Sequence, residues 1–298
     1  MSSPRTESIL RSVRAAVPAW QSALRTSRRV DSPFSGMHQT NRLGPGEEWG
    51  DARVYQSGDD VRRIDWAASA RSGSVQVRDT FAERGMRITL VVDCSPSMQF
   101  GTDTLTKADF ATATAAAISM LATRQTDSVA AMLVRPGSSR WVEPGSGLAH
   151  TNVLLRNLAQ SFASEGPASF TEGVFKALGH ARSSGLFVLI SDFYDEGAEQ
   201  ALRRAASRHR TLAVVVSDKR EHVLVPAGLV EVYDPETEEY MLLDTDSSKF
   251  AERFAAAAAA RATRRDAGLR SSGAEVHHLV CGPDWLADLG RMVSEVSR

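Results

Sequence analysis

The stretch 88–98, ITLVVDCSPSM, joins an apolar run to a cluster of short oxygen-bearing side chains. The run from Ile88 to Val92 predicts a buried strand that delivers Asp93 into a turn. Asp93, Ser95 and Ser97 occupy alternate positions, so their oxygens can point into one crevice. Carboxylate and hydroxyl oxygens are the ligands that a hard cation such as Mg2+ takes. The stretch therefore predicts a divalent cation site at the end of a core strand.

A second apolar run, LFVLISD at residues 186–192, ends in Asp192. Strands of this kind alternate with helical segments, which predicts an α/β fold with a mostly parallel sheet and helices on both faces. Ligands bind such sheets at the carboxyl ends of the strands, so Asp192 is expected near Asp93. Thr171, which begins a predicted helix, is a further candidate at that rim, and Thr151 is the alternative. Either threonine could instead be a helix cap.

Composition limits the classes of function. The 298 residues include 35 Lys and Arg and 36 Asp and Glu, and the net charge of -1 offers no general attraction for nucleic acid or an anionic membrane. Cys94 and Cys281 are too few for a disulfide scaffold. With no segment that predicts a signal peptide or a transmembrane helix, these features indicate a cytoplasmic protein. Peripheral contact with a membrane stays open.

The chain divides into an N-terminal part, residues 1–80, and an α/β domain, residues 81–298. Apolar residues at helical spacing from Thr6 to about Ser27 predict an amphipathic helix that Pro18 breaks or kinks. Short strands and loops are expected before residue 81. Residues 229–243 predict a hairpin outside the main sheet.

Several of these segments resemble a known family. DCSPS resembles the metal-ion-dependent adhesion site (MIDAS) of von Willebrand factor A domains, and FTEGVFKALGHARSSGLFVLISD resembles the later threonine and aspartate segments of those domains. The upstream segment RVYQSGDDVRRIDWAASARSGSVQVRD is similar to the signature of the bacterial "domain of unknown function 58" family, which pairs it with a von Willebrand A-like domain. The resemblance runs from about Gly36 to the C-terminus and includes the hairpin.

The resemblance implies a role for each candidate residue. Ser95 and Ser97 would ligate Mg2+ directly, Thr171 directly or through water, and Asp93 and Asp192 mainly through water. Mn2+ and Ca2+ are alternative ions. An open ligand position would accept a carboxylate from a partner protein. The family further implies a MoxR-type AAA+ ATPase as partner, the pair maturing or remodelling a client complex as a chaperone does.

Two other functions compete with this interaction module. One is a Mg2+-dependent hydrolase, such as a phosphatase, with Asp93 as nucleophile or a metal-bound water. The chain has no GxxxxGK[ST] loop, no GxSxG elbow and no His within the DCSPS and LFVLISD segments, so a non-enzymatic role is favoured. The other is a metal-free structural scaffold.

The cluster around Asp59, Asp65 and Trp66 has two interpretations. It could be a conformational relay or second partner surface, or a salt-bridged loop with Trp66 packed beneath it. The second is favoured because Asp and Arg are mostly exposed and Trp is mostly buried.

Overall fold

The computed structural model describes residues 4–27, 43–56, 59, 61–81, 85–122, 127–162, 166, 168–195, 197–234 and 239–296. The helices are α1 (Pro4–Ser27), α2 (Trp66–Ser72), α3 (Lys107–Ala122), α4 (Gly147–Ser161), α5 (Phe170–His180), α6 (Ala198–Ala206), α7 (Ser248–Ser271) and α8 (Trp285–Val296). The strands are β1 (Leu43–Val54), β2 (Gln76–Phe81), β3 (Arg87–Asp93), β4 (Ser128–Val134), β5 (Arg140–Gly145), β6 (Leu186–Ser191), β7 (Arg210–Asp218), β8 (Leu229–Asp234), β9 (Glu239–Asp244) and β10 (Glu275–Cys281).

A six-stranded sheet in the order β10-β7-β6-β3-β4-β5 forms the centre of the molecule. Neighbours from β10 to β4 pair in parallel, and the edge strand β5 pairs antiparallel with β4. Counted along the sheet's own strands, this is the doubly wound order 3-2-1-4-5-6, whose switch point lies between β3 and β6. The predicted von Willebrand A-like architecture, a mostly parallel sheet with helices on both faces, is confirmed.

Helices cover both faces of this sheet, and the side chains of β3 show why its apolar run is unbroken. Leu90 and Val92 pack in the core shared with α1, α3, α4 and α8, whereas Val91 packs on the opposite face with α5, α6 and α7. All three side chains are fully buried. A strand covered on both faces needs apolar residues at successive positions rather than alternate ones.

Helix α1 packs on the sheet domain through Ile9, Val13 and Val17, which join the core formed with α3. This contact follows from the composition of α3, an alanine-rich helix that is apolar on nearly all sides and must be covered on all sides. The predicted amphipathic helix is confirmed, but it continues through Pro18 instead of ending there. Pro18 has no amide hydrogen to donate to the carbonyl group of Arg14, one turn earlier. Because Pro18 is exposed, water can reach that carbonyl group instead. The boundary between residues 80 and 81 stays a prediction.

Residues 43–81 form a small unit in which β1 pairs antiparallel with β2 and α2 lies between the two strands in sequence. Asp59 forms an ion pair with Arg53 at 2.7 Å, and Asp65 caps α2 by accepting a hydrogen bond from the Ala68 amide at 2.9 Å. Trp66 is 72% exposed. The prediction that Trp66 packs beneath a salt-bridged loop is therefore wrong, because Asp65 acts as a cap and Trp66 points outward from the first turn.

Among the strands that the structure describes, β8 and β9 pair with each other alone and form the predicted hairpin outside the main sheet. None of the helices that the structure describes combines the length and the apolar character needed to cross a lipid bilayer.

A charge buried between α1 and the core of the sheet domain should destabilise the fold. We expect Val13→Asp to lower the free energy of unfolding by at least about 2 kcal/mol, because Val13 is fully buried and a carboxylate there has no partner. Urea unfolding followed by circular dichroism measures the loss. The exposed neighbour Ala15→Asp is the matched control, and equal stability of the two variants would show that α1 does not dock in solution.

His209 gives the stability a predictable dependence on pH. Its side chain is buried beside Phe187, and burial, followed by the charge of Arg208, lowers the pKa of His209 below its usual value of about 6.5. Below about pH 6.5 the unfolded chain therefore binds more protons at this site than the folded chain, and stability falls with falling pH. His209→Phe should flatten this slope between about pH 7 and 5 in urea titrations. A control variant replaces the exposed His180. If stability depended on pH equally steeply in His209→Phe and in this control, the pH dependence would not come from His209.

Candidate metal centre

The two predicted aspartates reach the same edge of the sheet because they end neighbouring strands. The parallel register pairs Val92 with Ile190, so Asp93 and Ser191 stand side by side one residue later and Asp192 follows. Asp93 is 4% exposed and Asp192 is 3% exposed. Both carboxylates are thus held at the carboxyl ends of strands, beside the switch point of the sheet.

Hydrogen bonds fix the first part of the candidate centre. The Asp93 carboxylate accepts the Ser95 amide at 2.9 Å through Oδ1 and the Ser191 hydroxyl at 2.6 Å through Oδ2. The hydroxyl oxygens of Ser95 and Ser97 lie 3.0 Å apart. Ser95 precedes the short 3₁₀ turn Pro96–Gln99 but its side chain makes no capping hydrogen bond to it. The alternating oxygens therefore converge, and a simple cap does not account for them.

The electrostatics of this cluster favour a cation. Burial, followed by the nearby charge of Asp192, raises the pKa of Asp93 from 3.8 to about 6, although hydrogen bonds from Ser191 and Ser95 act in the opposite direction. A carboxylate pair in a buried setting is stabilised by any positive charge placed between or beside its members. In the described part of the chain no group of three His, Cys, Asp or Glu side chains forms a site. The donor set that fits a hard cation is instead a mixture of carboxylates and hydroxyls.

Lys107 supplies a positive charge that sequence reasoning missed. It is the first residue of α3 and is only 1% exposed. Its Nζ lies 2.8 Å from Asp192 Oδ2 and 2.5 Å from Glu221 Oε1, with the ring of Phe100 5.9 Å away. The two carboxylates raise the pKa of Lys107 above its usual range even though burial acts to lower it. The lysine is therefore a permanent cation within the candidate centre.

A chain of hydrogen bonds continues from this lysine to the neighbouring loops. Glu221 accepts the Asp218 amide at 2.9 Å through its second oxygen. Asp218 in turn accepts the hydroxyl of Thr102 at 2.7 Å and its amide at 3.2 Å. Burial raises the pKa of Asp218, but hydrogen bonds from the Arg220 amide and then from Thr102 outweigh it and hold the pKa below its usual value. The loop after the Ser95 turn, the end of β7 and the start of α3 are thus tied together around Lys107.

The two candidate threonines lie at different edges of the sheet. Thr151 lies inside α4, where its hydroxyl donates to the Gly147 carbonyl at 3.2 Å. That helix starts where the antiparallel strand β5 has returned to the amino-terminal edge, so Thr151 is remote from Asp93. Thr171 lies in the first turn of α5, and its amide donates to Asp195 Oδ2 at 2.8 Å. Of the two, Thr171 lies at the edge that carries Asp93 and Asp192.

Thr171 is not the cap of its helix. Ser169 is the N-cap residue, and its hydroxyl accepts the Glu172 amide. The Thr171 side chain lies beside the backbone of Gly197, where an added Cβ would be 3.7 Å from Oγ1. The possibility that Thr171 is present for capping is thus removed, and its role in binding a metal stays a prediction.

The loop after β6 adopts an uncommon backbone conformation. Phe193 has a φ of 57°, a left-handed value that costs a residue with a side chain about 1–3 kcal/mol. The Ser191 hydroxyl accepts the Phe193 amide at 2.9 Å, and the Phe193 ring packs edge-on against Phe170 at 5.5 Å. Arg265 of α7 donates to the Asp192 carbonyl at 3.2 Å. Packing and hydrogen bonds thereby hold the loop that carries Asp192 and Asp195 in one conformation.

Comparison with known proteins identifies the family. The family model described as "Protein of unknown function DUF58" matches residues 51–264. This chain belongs to the DUF58 family. Uncharacterized proteins of Mycobacterium tuberculosis and Mycobacterium bovis are each 34% identical to it over 291 residues, covering 94% of this chain and 91% of the relative.

Solved structures resemble the DUF58 chain more distantly. BatB from Bacteroides thetaiotaomicron covers 71% of this chain and 98% of its own, with 12% identity and a TM-score of 0.46. The von Willebrand A domain of SpRpn10 covers 70% of this chain and 95% of its own, with 14% identity and a TM-score of 0.39.

The close approach of α5 to β4, which positions Thr171, depends on Gly173. A Cβ at Gly173 would collide with the side chain of Val134, whereas a Cβ at the exposed Gly179 of the same helix meets nothing within 4 Å. We expect Gly173→Ala to lower the free energy of unfolding by about 1–3 kcal/mol through overpacking. Gly179→Ala should instead raise it by up to about 1 kcal/mol through helix propensity. Urea unfolding of both variants tests the approach, and a stabilising Gly173→Ala would contradict it.

Proposed function

We propose that this DUF58 chain is a Mg2+-dependent protein-interaction module that works with a MoxR-type AAA+ ATPase in the maturation or remodelling of a protein complex. The observation that carries the proposal is the convergence of Asp93, Ser95 and Ser97 with Asp192 at one edge of the sheet. Family membership supports the choice of an interaction module, and the partner follows from the resemblance seen in the sequence.

In this proposal the ion is held by the chain's own oxygens. Ser95 and Ser97 would ligate it directly, Thr171 would do so directly or through water, and Asp93 and Asp192 would act mainly through water. The bound ion supplies an open coordination position that attracts a carboxylate from a partner protein. Asp93 is suited to a role through water because both of its oxygens already accept hydrogen bonds from Ser95 and Ser191.

The surface around the candidate centre supports protein binding. Phe100, which follows the Ser95 turn, is 43% exposed, and Tyr194, two residues after Asp192, is 36% exposed. The guanidinium group of the exposed Arg261 lies 5.6 Å from the Tyr194 ring. Aromatic and arginine side chains dominate the energetics of protein interfaces, and arginine complements an acidic partner.

The hydrolase alternative receives less support from the same residues. A nucleophilic Asp93 would need an oxygen directed at the substrate, but the carboxylate is 4% exposed and both oxygens are occupied by hydrogen bonds. The proposal therefore assigns no catalytic step. It includes a cytoplasmic location, with which the buried and reduced Cys94 and Cys281 are compatible.

Partner binding should depend on the metal and on Asp93. We expect the purified chain to bind a MoxR-type ATPase of the same organism in Mg2+ and to lose at least about tenfold in affinity in EDTA or after Asp93→Ala. Calorimetry with Mg2+ and a pull-down with the ATPase measure the two steps. Glu172→Ala, on the exposed face of α5, is the matched control. Equal binding with EDTA and with Asp93→Ala would exclude metal gating, and no heat on titration with Mg2+ would leave a metal-free scaffold.

A further inference from the structure

Lys107 places a fixed positive charge where a divalent cation would also be attracted. Its ammonium group lies 2.8 Å from Asp192 Oδ2, and both side chains are almost fully removed from water. At that distance and burial the pair is strongly coupled, since solvent screens it little. The same Asp192 supplies the second carboxylate of the candidate centre, because the register of β3 and β6 brings it to the edge that carries Asp93.

The surroundings of Lys107 hold its ammonium group in a fixed position. Glu221 provides a second carboxylate at 2.5 Å, and its other oxygen is held by the Asp218 amide in a capping box. Lys107 also begins α3, where the partial positive charge of the helix terminus disfavours a cation. A lysine persists there only because the two carboxylates outweigh both that charge and the loss of hydration.

We infer that Lys107 is the positioning residue of the candidate metal centre: its ammonium group neutralises and orients Asp192, and thereby weakens the attraction of the centre for a divalent cation. This inference rests on the proposed function, since it concerns the regulation of the same centre. Affinity for Mg2+ is then set by a competition within the chain, and any partner or loop movement that separates Lys107 from Asp192 strengthens cation binding.

Removing the ammonium group should raise the affinity for Mg2+. Lys107→Met keeps the length and apolar stem of the side chain but leaves Asp192 and Glu221 without a cation. We expect Mg2+ to bind this variant at least about tenfold more tightly than the wild type, because the unit positive charge 2.8 Å from Asp192 Oδ2 has been removed. Mg2+ should also raise the melting temperature of Lys107→Met more than that of the wild type.

Three further variants separate this role from a merely structural one. Lys107→Arg keeps the charge and should keep the wild-type affinity for Mg2+. Glu221→Gln removes the other partner of the lysine and should not raise the affinity. Lys176→Met breaks an exposed ion pair with Glu172 and should change neither quantity. If Lys107→Met folds neither with nor without Mg2+, the double variant Lys107→Met/Glu221→Gln restores the charge balance and is compared with Glu221→Gln, from which it differs only at Lys107.

Calorimetric titration of the full-length chain with MgCl2 and thermal melts with and without Mg2+ decide the outcome. Tighter Mg2+ binding by Lys107→Met than by the wild type, or by the double variant than by Glu221→Gln, with wild-type binding by Lys107→Arg, supports the inference. Equal affinities within these two pairs overturn it while leaving the proposed function intact. Binding by the methionine variant without binding by the wild type supports the role of Lys107 but overturns Mg2+ dependence of the native chain. Binding by neither overturns both.

Discussion

Two carboxylates buried side by side at the ends of β3 and β6 are the constraint on which the rest of this site depends. Asp93 and Asp192 are each almost fully excluded from water, and charges in such a position persist only with hydrogen bonds or partners of opposite sign. Hydrogen bonds from Ser95 and Ser191 serve Asp93, and the ammonium group of Lys107 serves Asp192. The compensation is unequal, because Asp192 gains a full charge while Asp93 gains dipoles alone. Burial, followed by the charge of Asp192, raises the pKa of Asp93 to about 6.

This compensation fixes the placement of elements that are far apart in sequence. Lys107 must begin α3 at the carboxyl edge of the sheet, and Glu221 must follow β7 in a turn that reaches the same edge. Arg265 in the C-terminal half of α7 holds the Asp192 carbonyl from the opposite face of the sheet. Helices of both layers thus meet at one loop. A rearrangement of that loop would change the contacts of helices on both faces of the sheet. The proposed metal-dependent binding of a partner requires such a linked change.

The features that could be predicted from the sequence are those that depend on local pattern. Unbroken apolar runs before Asp93 and Asp192 predict strands covered on both faces, and the parallel topology then brings the two carboxylates to one edge. The choice between Thr171 and Thr151 could not be made in the same way. Both precede or begin helices, and the deciding fact is that the antiparallel strand β5 returns the chain to the opposite edge before α4 starts. A single strand direction, invisible in the hydrophobic pattern, separates the two threonines.

The residues that sequence reasoning missed are those whose environment is made by distant parts of the chain. Trp66 has an apolar side chain yet is exposed in the first turn of the helix that Asp65 caps. Lys107 is charged yet buried, because Asp192 and Glu221 pair with it. These partners lie 85 and 114 residues away in the sequence, so no local pattern reveals them. A lysine at the first position of a helix nevertheless conflicts with the helix dipole, and that conflict is visible in the sequence once the helix is predicted. In natural proteins, residues that are unfavourable for the helix or strand in which they lie are concentrated at functional or strained sites. A lysine at the first residue of an otherwise alanine-rich helix therefore indicates a functional or strained site from the sequence alone, before its partners are known.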